Sequence, residues 1–296
     1  MRSKTFVDKM KSIQNFLLEF LEAESDANDK YENFINLIST QEINNKKHEF
    51  TALLQLINHI GNNHHRAPNF ISKVERVLRQ FKQDLKKSFS NSEIFDIFED
   101  NKRILLFLLE EKMMIIDEYI FSIITSRFYV KKNYCEYFQP EIKPFLTQEN
   151  IEKYGGKNKS LKDDKFNERM NKEIEANFYE KRQEGESDDY LCKLIRFDEI
   201  KEFVRFVEQI NLSLESEIKK SIFETNQFLD KFNVTLPEYA SFFGSIKIIQ
   251  YLIRKTKKVN SEIWIYSINS NNVKMIHLLE DYQIEPDLQQ IFRESI

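Results

Sequence analysis

Apolar residues recur three and four positions apart through most of the chain, the spacing that lines one face of an α-helix. From Thr5 to Glu24 the series is Phe6, Met10, Ile13, Phe16, Leu17, Phe20 and Leu21. A second helix is predicted around Tyr31, Phe34, Ile35 and Ile38. A third is predicted through Phe50, Leu53, Leu54, Ile57 and Ile60, with Gly61 as its closing residue. Pro68 suits the first turn of a fourth, whose core face is Ile71, Val74, Leu78, Phe81 and Leu85. Arg76, Arg79, Lys82, Lys86 and Lys87 lie off that face and read as a solvated surface, with a site for an anionic partner as the alternative. Ser90 and Glu93 have the spacing of a capping box, in which each side chain accepts from the other residue's backbone N–H.

In the C-terminal third the pattern repeats. LPEYASFFGSIKIIQYLIRK falls on IWIYSINSNNVKMIHLLEDY at an offset of 27 residues, so that Gly244 meets Asn271, Ile246 meets Val273, Lys247 meets Lys274 and Leu252 meets Leu279. At an offset of 46, Ile200, Lys201, Phe203 and Phe206 meet Ile246, Lys247, Ile249 and Leu252. Each copy reads as helix, tight turn, helix. A unit of that size cannot bury its own apolar face, so copies must stack. A fainter echo at an offset of 144 places Ile104, Leu105, Leu108 and Ile124 under Ile248, Ile249, Leu252 and Ile268, which makes residues 90–125 a degenerate copy.

Between these regions Pro140 and Pro144 break the aromatic stretch Tyr129 to Phe145 into short helices and turns. Residues 157–186 hold eight basic and eight acidic residues. Residues 151–186 therefore read as a charged linker, or as a loose helix carrying Phe166, Met170, Ile174 and Phe178. The expected organisation is an N-terminal helical region over residues 1–150, this linker, and an array over 187–296.

Composition supports an all-α chain: 296 residues contain only five glycines and five prolines, so turns that need positive φ are scarce. The 26 phenylalanines are expected to fill core positions. A net charge of −4 argues against nucleic acid as partner. No apolar run exceeds Ile104 to Leu109, so no membrane span is expected, and Asp8, Lys9 and Lys11 interrupt any leader-like run. Cys135 and Cys192, with no CxxC spacing, read as buried free thiols, and a cytoplasmic location is expected.

The stretch TLPEYASFFGS resembles the ankyrin repeat, whose helix-pair unit opens T-P-L-H-x-A-A-x-x-G. Thr235, Ala240 and Gly244 occupy its Thr, first Ala and Gly. IIQYLI and MIHLLE resemble the outer-helix V-x-x-L-L, and Val259 with Asn260 resembles the closing V-N. Leu236 and Pro237 stand in reversed order, and Glu238 replaces the His. The 27-residue offset is about six short of an ankyrin unit, the deficit falling between Asn260 and Ser261, where a β-hairpin finger belongs. Together with NNHHRAPNF and NSEIFDIFEDNKRILLFLLEEK, the chain resembles a large family of divergent ankyrin-type proteins of parasitic flagellate protists. The resemblance implies a helical-pair solenoid of divergent ankyrin-like repeats preceded by an N-terminal helical region, and it says hardly anything about activity.

Nothing in the sequence carries recognisable catalysis. His59, His64 and His65 cluster without a nearby cysteine and read as a polar loop. Gly155, Gly156 and Lys157 lack the earlier Gly and the following Ser or Thr of a phosphate-binding loop. The expectation is a non-enzymatic scaffold, with no cofactor or metal, that binds an unknown protein partner. The resemblance implies a concave face of inner helices, on which Tyr239, Phe243, Tyr266 and Ser270 would form the protein-binding site, with the two tyrosine rings covering the stack as the alternative, while Trp264 reads as core. The alternatives are self-assembly through an uncapped end at Leu288, Ile291, Phe292 and Ile296, or an unrecognised activity in the N-terminal region.

Overall fold

A computed structural model describes residues 2–23, 27–63, 69–126, 133–156, 158–231, 233–256 and 259–287. The chain is all-α, with no strand among the described residues, and divides into two compact units, Met1–Glu175 and Ala176–Ile296.

In the first unit α1 (Arg2–Leu21) packs against α2 (Asn28–Thr40), α3 (Lys47–Asn63) and α4 (Phe70–Gln80). The stripe expected from periodicity is the one buried: Ile13, Leu17, Phe20, Phe34, Ile38, Phe50, Leu53, Leu54 and Ile57 form its core. Buried Lys73 of α4 donates to the carbonyls of Leu21 and Ala23, where α1 ends and free carbonyls favour a cation. Three expectations change here. Gly61 does not close α3 but sits inside it, where an added Cβ would lie 3.1 Å from Ile104 Cδ1. The fourth helix is interrupted at Phe81, buried edge-on against Phe50, and resumes as α5 (Lys82–Ser88). The basic face is not simply solvated: Arg79 and Lys82 both reach Glu111 at 3.0 Å, and Arg76 stacks 3.9 Å over the Tyr31 ring. Pro68 lies outside the described residues.

Next come α6 (Asn91–Phe98), α7 (Lys102–Glu110) and α8 (Glu118–Ile124), with α6 touching both of the others. The Ser90–Glu93 capping box is formed: Ser90 N–H donates to Glu93 Oε2 at 2.9 Å, and Glu93 N–H to Ser90 Oγ at 3.3 Å. Short helices α9 (Tyr134–Tyr137) and α10 (Gln139–Ile142) follow, as the proline-broken stretch predicts. Residues 151–186, expected as a charged linker or a loose helix, hold short helices and fall partly in each unit. Among these helices are α11 (Gln148–Tyr154) and α12 (Asp164–Asn171), and Leu161, Phe166 and Met170 enter the first core. The side-chain amide of Gln139 donates to the carbonyls of Met170 and Lys172, fixing the end of α12. High charge density did not prevent burial, because a few apolar residues on one face suffice to dock a short helix.

The second unit begins with α13 (Phe178–Glu184), whose Phe178 packs edge-on against Phe223. Three helix pairs follow: α14 (Tyr190–Arg196) with α15 (Ile200–Gln209), α17 (Leu236–Phe242) with α18 (Ile246–Lys255), and α19 (Ile263–Asn269) with α20 (Val273–Asp281). The first helices lie side by side, α14 on α17 and α17 on α19, and α15 lies against α18. Between the first two pairs runs a segment that includes α16 (Gln227–Lys231) and a single antiparallel bridge, Glu217 to Thr235, with Ile218 N–H donating to the carbonyl of Val234 at 2.7 Å.

Candidate functional site

The tight turns inside the three pairs share one geometry. Asp198, Gly244 and Asn271 occupy register-equivalent positions and adopt φ of 52°, 65° and 49°. Each donates its N–H to the carbonyl three residues back, Ile195, Ser241 and Ile268, at 3.0, 3.0 and 3.1 Å. Asp, Gly and Asn are the residues that enter the left-handed region at least cost, so the turn chemistry is written into the sequence. The turns also bind one another. Asp198 accepts from the N–H groups of Lys247 and Ile248 at 3.1 and 3.0 Å, Ser245 Oγ donates to the carbonyl of Ile195, and Gly244 abuts the side chain of Asn272. A buried contact between Ser241 Oγ and Ser267 Oγ adds a further link between α17 and α19.

This close register settles where the four expected binding residues lie. Tyr239 is 0% exposed, Tyr266 4%, and Phe243 is also buried; only Ser270 is half-exposed. The expectation that the tyrosines present an open concave face is therefore corrected, because the first helices approach closely enough to enclose them. The Tyr239 ring lies tilted against Phe243, with centroids 4.6 Å apart, and its hydroxyl accepts from Arg196 Nη1 at 3.0 Å. Arg196 in turn meets Glu186 Oε2 at 2.7 Å. Tyr266 packs edge-on against Phe228, and the indole N–H of Trp264 donates to the carbonyl of Ile284 at 2.7 Å, which places Trp264 in the core as expected.

Burial raises the phenol and thiol of this interior. Burial, reinforced by the charge of Glu224, pushes the Tyr239 phenol well above its usual range. Burial pushes the Cys192 thiol up to about 11, and Cys135 also well above the ordinary value. A thiol held that high carries little thiolate near neutral pH and is a poor nucleophile. Among the described residues no group of three or more His, Cys, Asp and Glu could hold a metal. His59 is exposed on α3, and His64 and His65 lie outside the described residues. A shallow cleft of about 140 Å³ opens beside the N-terminus of α17, lined by Glu215, Thr235, Pro237, Glu238 and Asn260. Glu238 is committed there to the second capping box, its Oε2 accepting from Thr235 N–H at 2.8 Å; burial raises its carboxyl above the ordinary value.

What does face outward is the row of turn tips. Phe197 is 73% exposed and Val273 68%, the two most exposed large apolar side chains among the described residues, and half-exposed Ile268 stands near the end of α19, just before the third turn. Sequence reasoning missed them: Phe197 shares its register with Phe243, yet Phe243 is buried and Phe197 is not, a difference set by neighbours distant in the chain.

No helix of the described residues is long and apolar enough to cross a membrane. Comparison of the chain with protein-family models, with curated proteins and with solved structures finds no match.

Proposed function

We propose that residues 187–296 form a short helical-pair solenoid of ankyrin-like type and that the chain is a non-enzymatic protein-binding scaffold. One observation carries this reading. Three helix pairs are held in register, the first two by hydrogen bonds from the turn at Asp198 and the last two by the Ser241–Ser267 bond and the approach of Gly244 to Asn272, and they leave Phe197 and Val273 exposed beside the turns, with Ile268 exposed near the end of α19. Exposed apolar residues aligned on a rigid scaffold mark a surface for a protein partner. The binding site thereby shifts from the expected Tyr239, Phe243, Tyr266 and Ser270 to the tips of the turns. Residues 90–125 share the capping box and the helix order of this array, which supports a fourth, degenerate unit of the same kind.

Affinity capture from the native cell lysate tests the reading. The wild-type chain is expected to retain a specific protein that Phe197→Ser with Val273→Ser does not, while the variant's thermal transition stays unchanged. Equal retention by both chains would sink the assignment.

A further inference from the structure

The partner's chemistry can be narrowed, and the inference rests on the protein-binding reading above. Lys201, Lys247 and Lys274 are the second residues of α15, α18 and α20, all exposed and all in the same register. Helix N-termini favour acids, yet α18 and α20 have no acidic residue in their first turns. Lysine there gains nothing from its own helix, so intrahelical stability does not account for three in register. No ion pair or side-chain hydrogen bond within the described residues engages these three ammonium groups.

The nearby acids are largely committed. Asp198 is taken up by the N–H groups of Lys247 and Ile248, and Glu202 pairs with Arg205 at 2.7 Å, which leaves Glu199 as the remaining carboxylate of the first turn. The bonds from Asp198 and the contact of Gly244 with Asn272 set the three turns next to one another, so the lysines form a row along their edge. Phe197 and Val273 mark the row's first and third turns with exposed apolar side chains. The geometry points to an acidic segment of a partner protein as the occupant, its carboxylates on Lys201, Lys247 and Lys274 and its apolar side chains against Phe197 and Val273. The apolar flanks favour a peptide, which carries apolar side chains between its carboxylates, over nucleic acid.

Fluorescence anisotropy with the full chain and labelled peptides of equal length decides this: one peptide mixes Leu with Glu, one Leu with Gln, one Leu with Lys, and a single-stranded oligothymidine serves as the polyanion control. The Leu–Glu peptide should bind saturably and weaken with salt, and Lys201→Glu, Lys247→Glu and Lys274→Glu together should cost about tenfold or more in affinity. The corresponding triple Gln variant should give an intermediate loss, with unchanged circular dichroism for both variants. Equal binding of the Leu–Gln peptide would overturn the acidic partner while leaving the docking surface standing. Failure of every peptide, or tighter binding of the oligothymidine, would overturn the inference as well. Loss of capture by the Phe197/Val273 variant is read separately, so the two ideas fail distinguishably.

Discussion

Tyr239 illustrates how one side chain can satisfy a binding motif and a core at once. A tyrosine at the outward position of an ankyrin-like inner helix offers a broad contact face with a polar tip, and nothing in the sequence distinguishes that use from burial. The structure places its ring on Phe243 and its hydroxyl on Arg196, so every part of it is already engaged. Tyr239→Ala is therefore expected to lower stability by about 3 to 5 kcal/mol, as large-to-small core changes do. Tyr239→Phe should cost about 1 to 2 kcal/mol through the lost bond to Arg196. Chemical denaturation of the two variants checks this; a Tyr239→Ala chain as stable as wild type would mean that the ring is not core.

At the scale of the element, the tight turn between paired helices carries the register. Gly244 combines a φ of 65° with a close approach to Asn272, where an added Cβ would stand 2.8 Å from Nδ2. Gly244→Ala is expected to destabilise by about 1 to 2 kcal/mol, the left-handed penalty for an L-residue. Asp198 has a different second duty: its carboxylate caps α18 across the pair boundary. Asp198→Gly, which keeps the turn conformation and loses only the cap, should cost about 1 kcal/mol. Asp198→Ala should cost more than Asp198→Gly in the same thermal melts, since alanine loses the cap and also resists the turn; the reverse order would refute this division of roles. The helix pairs themselves were legible from periodicity and offset. Their capping across the boundary was not, because a carboxylate 49 residues before the N–H it accepts leaves no local pattern.

For the whole molecule, the boundary falls between Glu175 and Ala176, within residues that lie at the end of the expected linker. Lys172, Glu173, Glu175, Ala176 and Asn177 are all exposed, while the helices on either side are docked through Phe166, Met170 and Phe178. Brief trypsin treatment should cut preferentially after Lys172, and both fragments should keep their helical circular dichroism, as expected of units with separate cores. Early cleavage across 151–171 instead would show that this stretch is the loose linker its composition suggests.

The sequence by itself determined the all-α class, most helix positions, the apolar stripes, the capping box at Ser90 and Glu93 and the tight turns inside the three pairs. These are local properties, set by the period of the helix and by what each residue's backbone tolerates. Only the tertiary structure decided which of two equivalent aromatics is covered: Phe243 lies in the middle pair and is enclosed, whereas Phe197 stands at the first turn and is not. Burial at a given register depends on neighbours dozens of residues away, and periodicity within one helix carries no information about them.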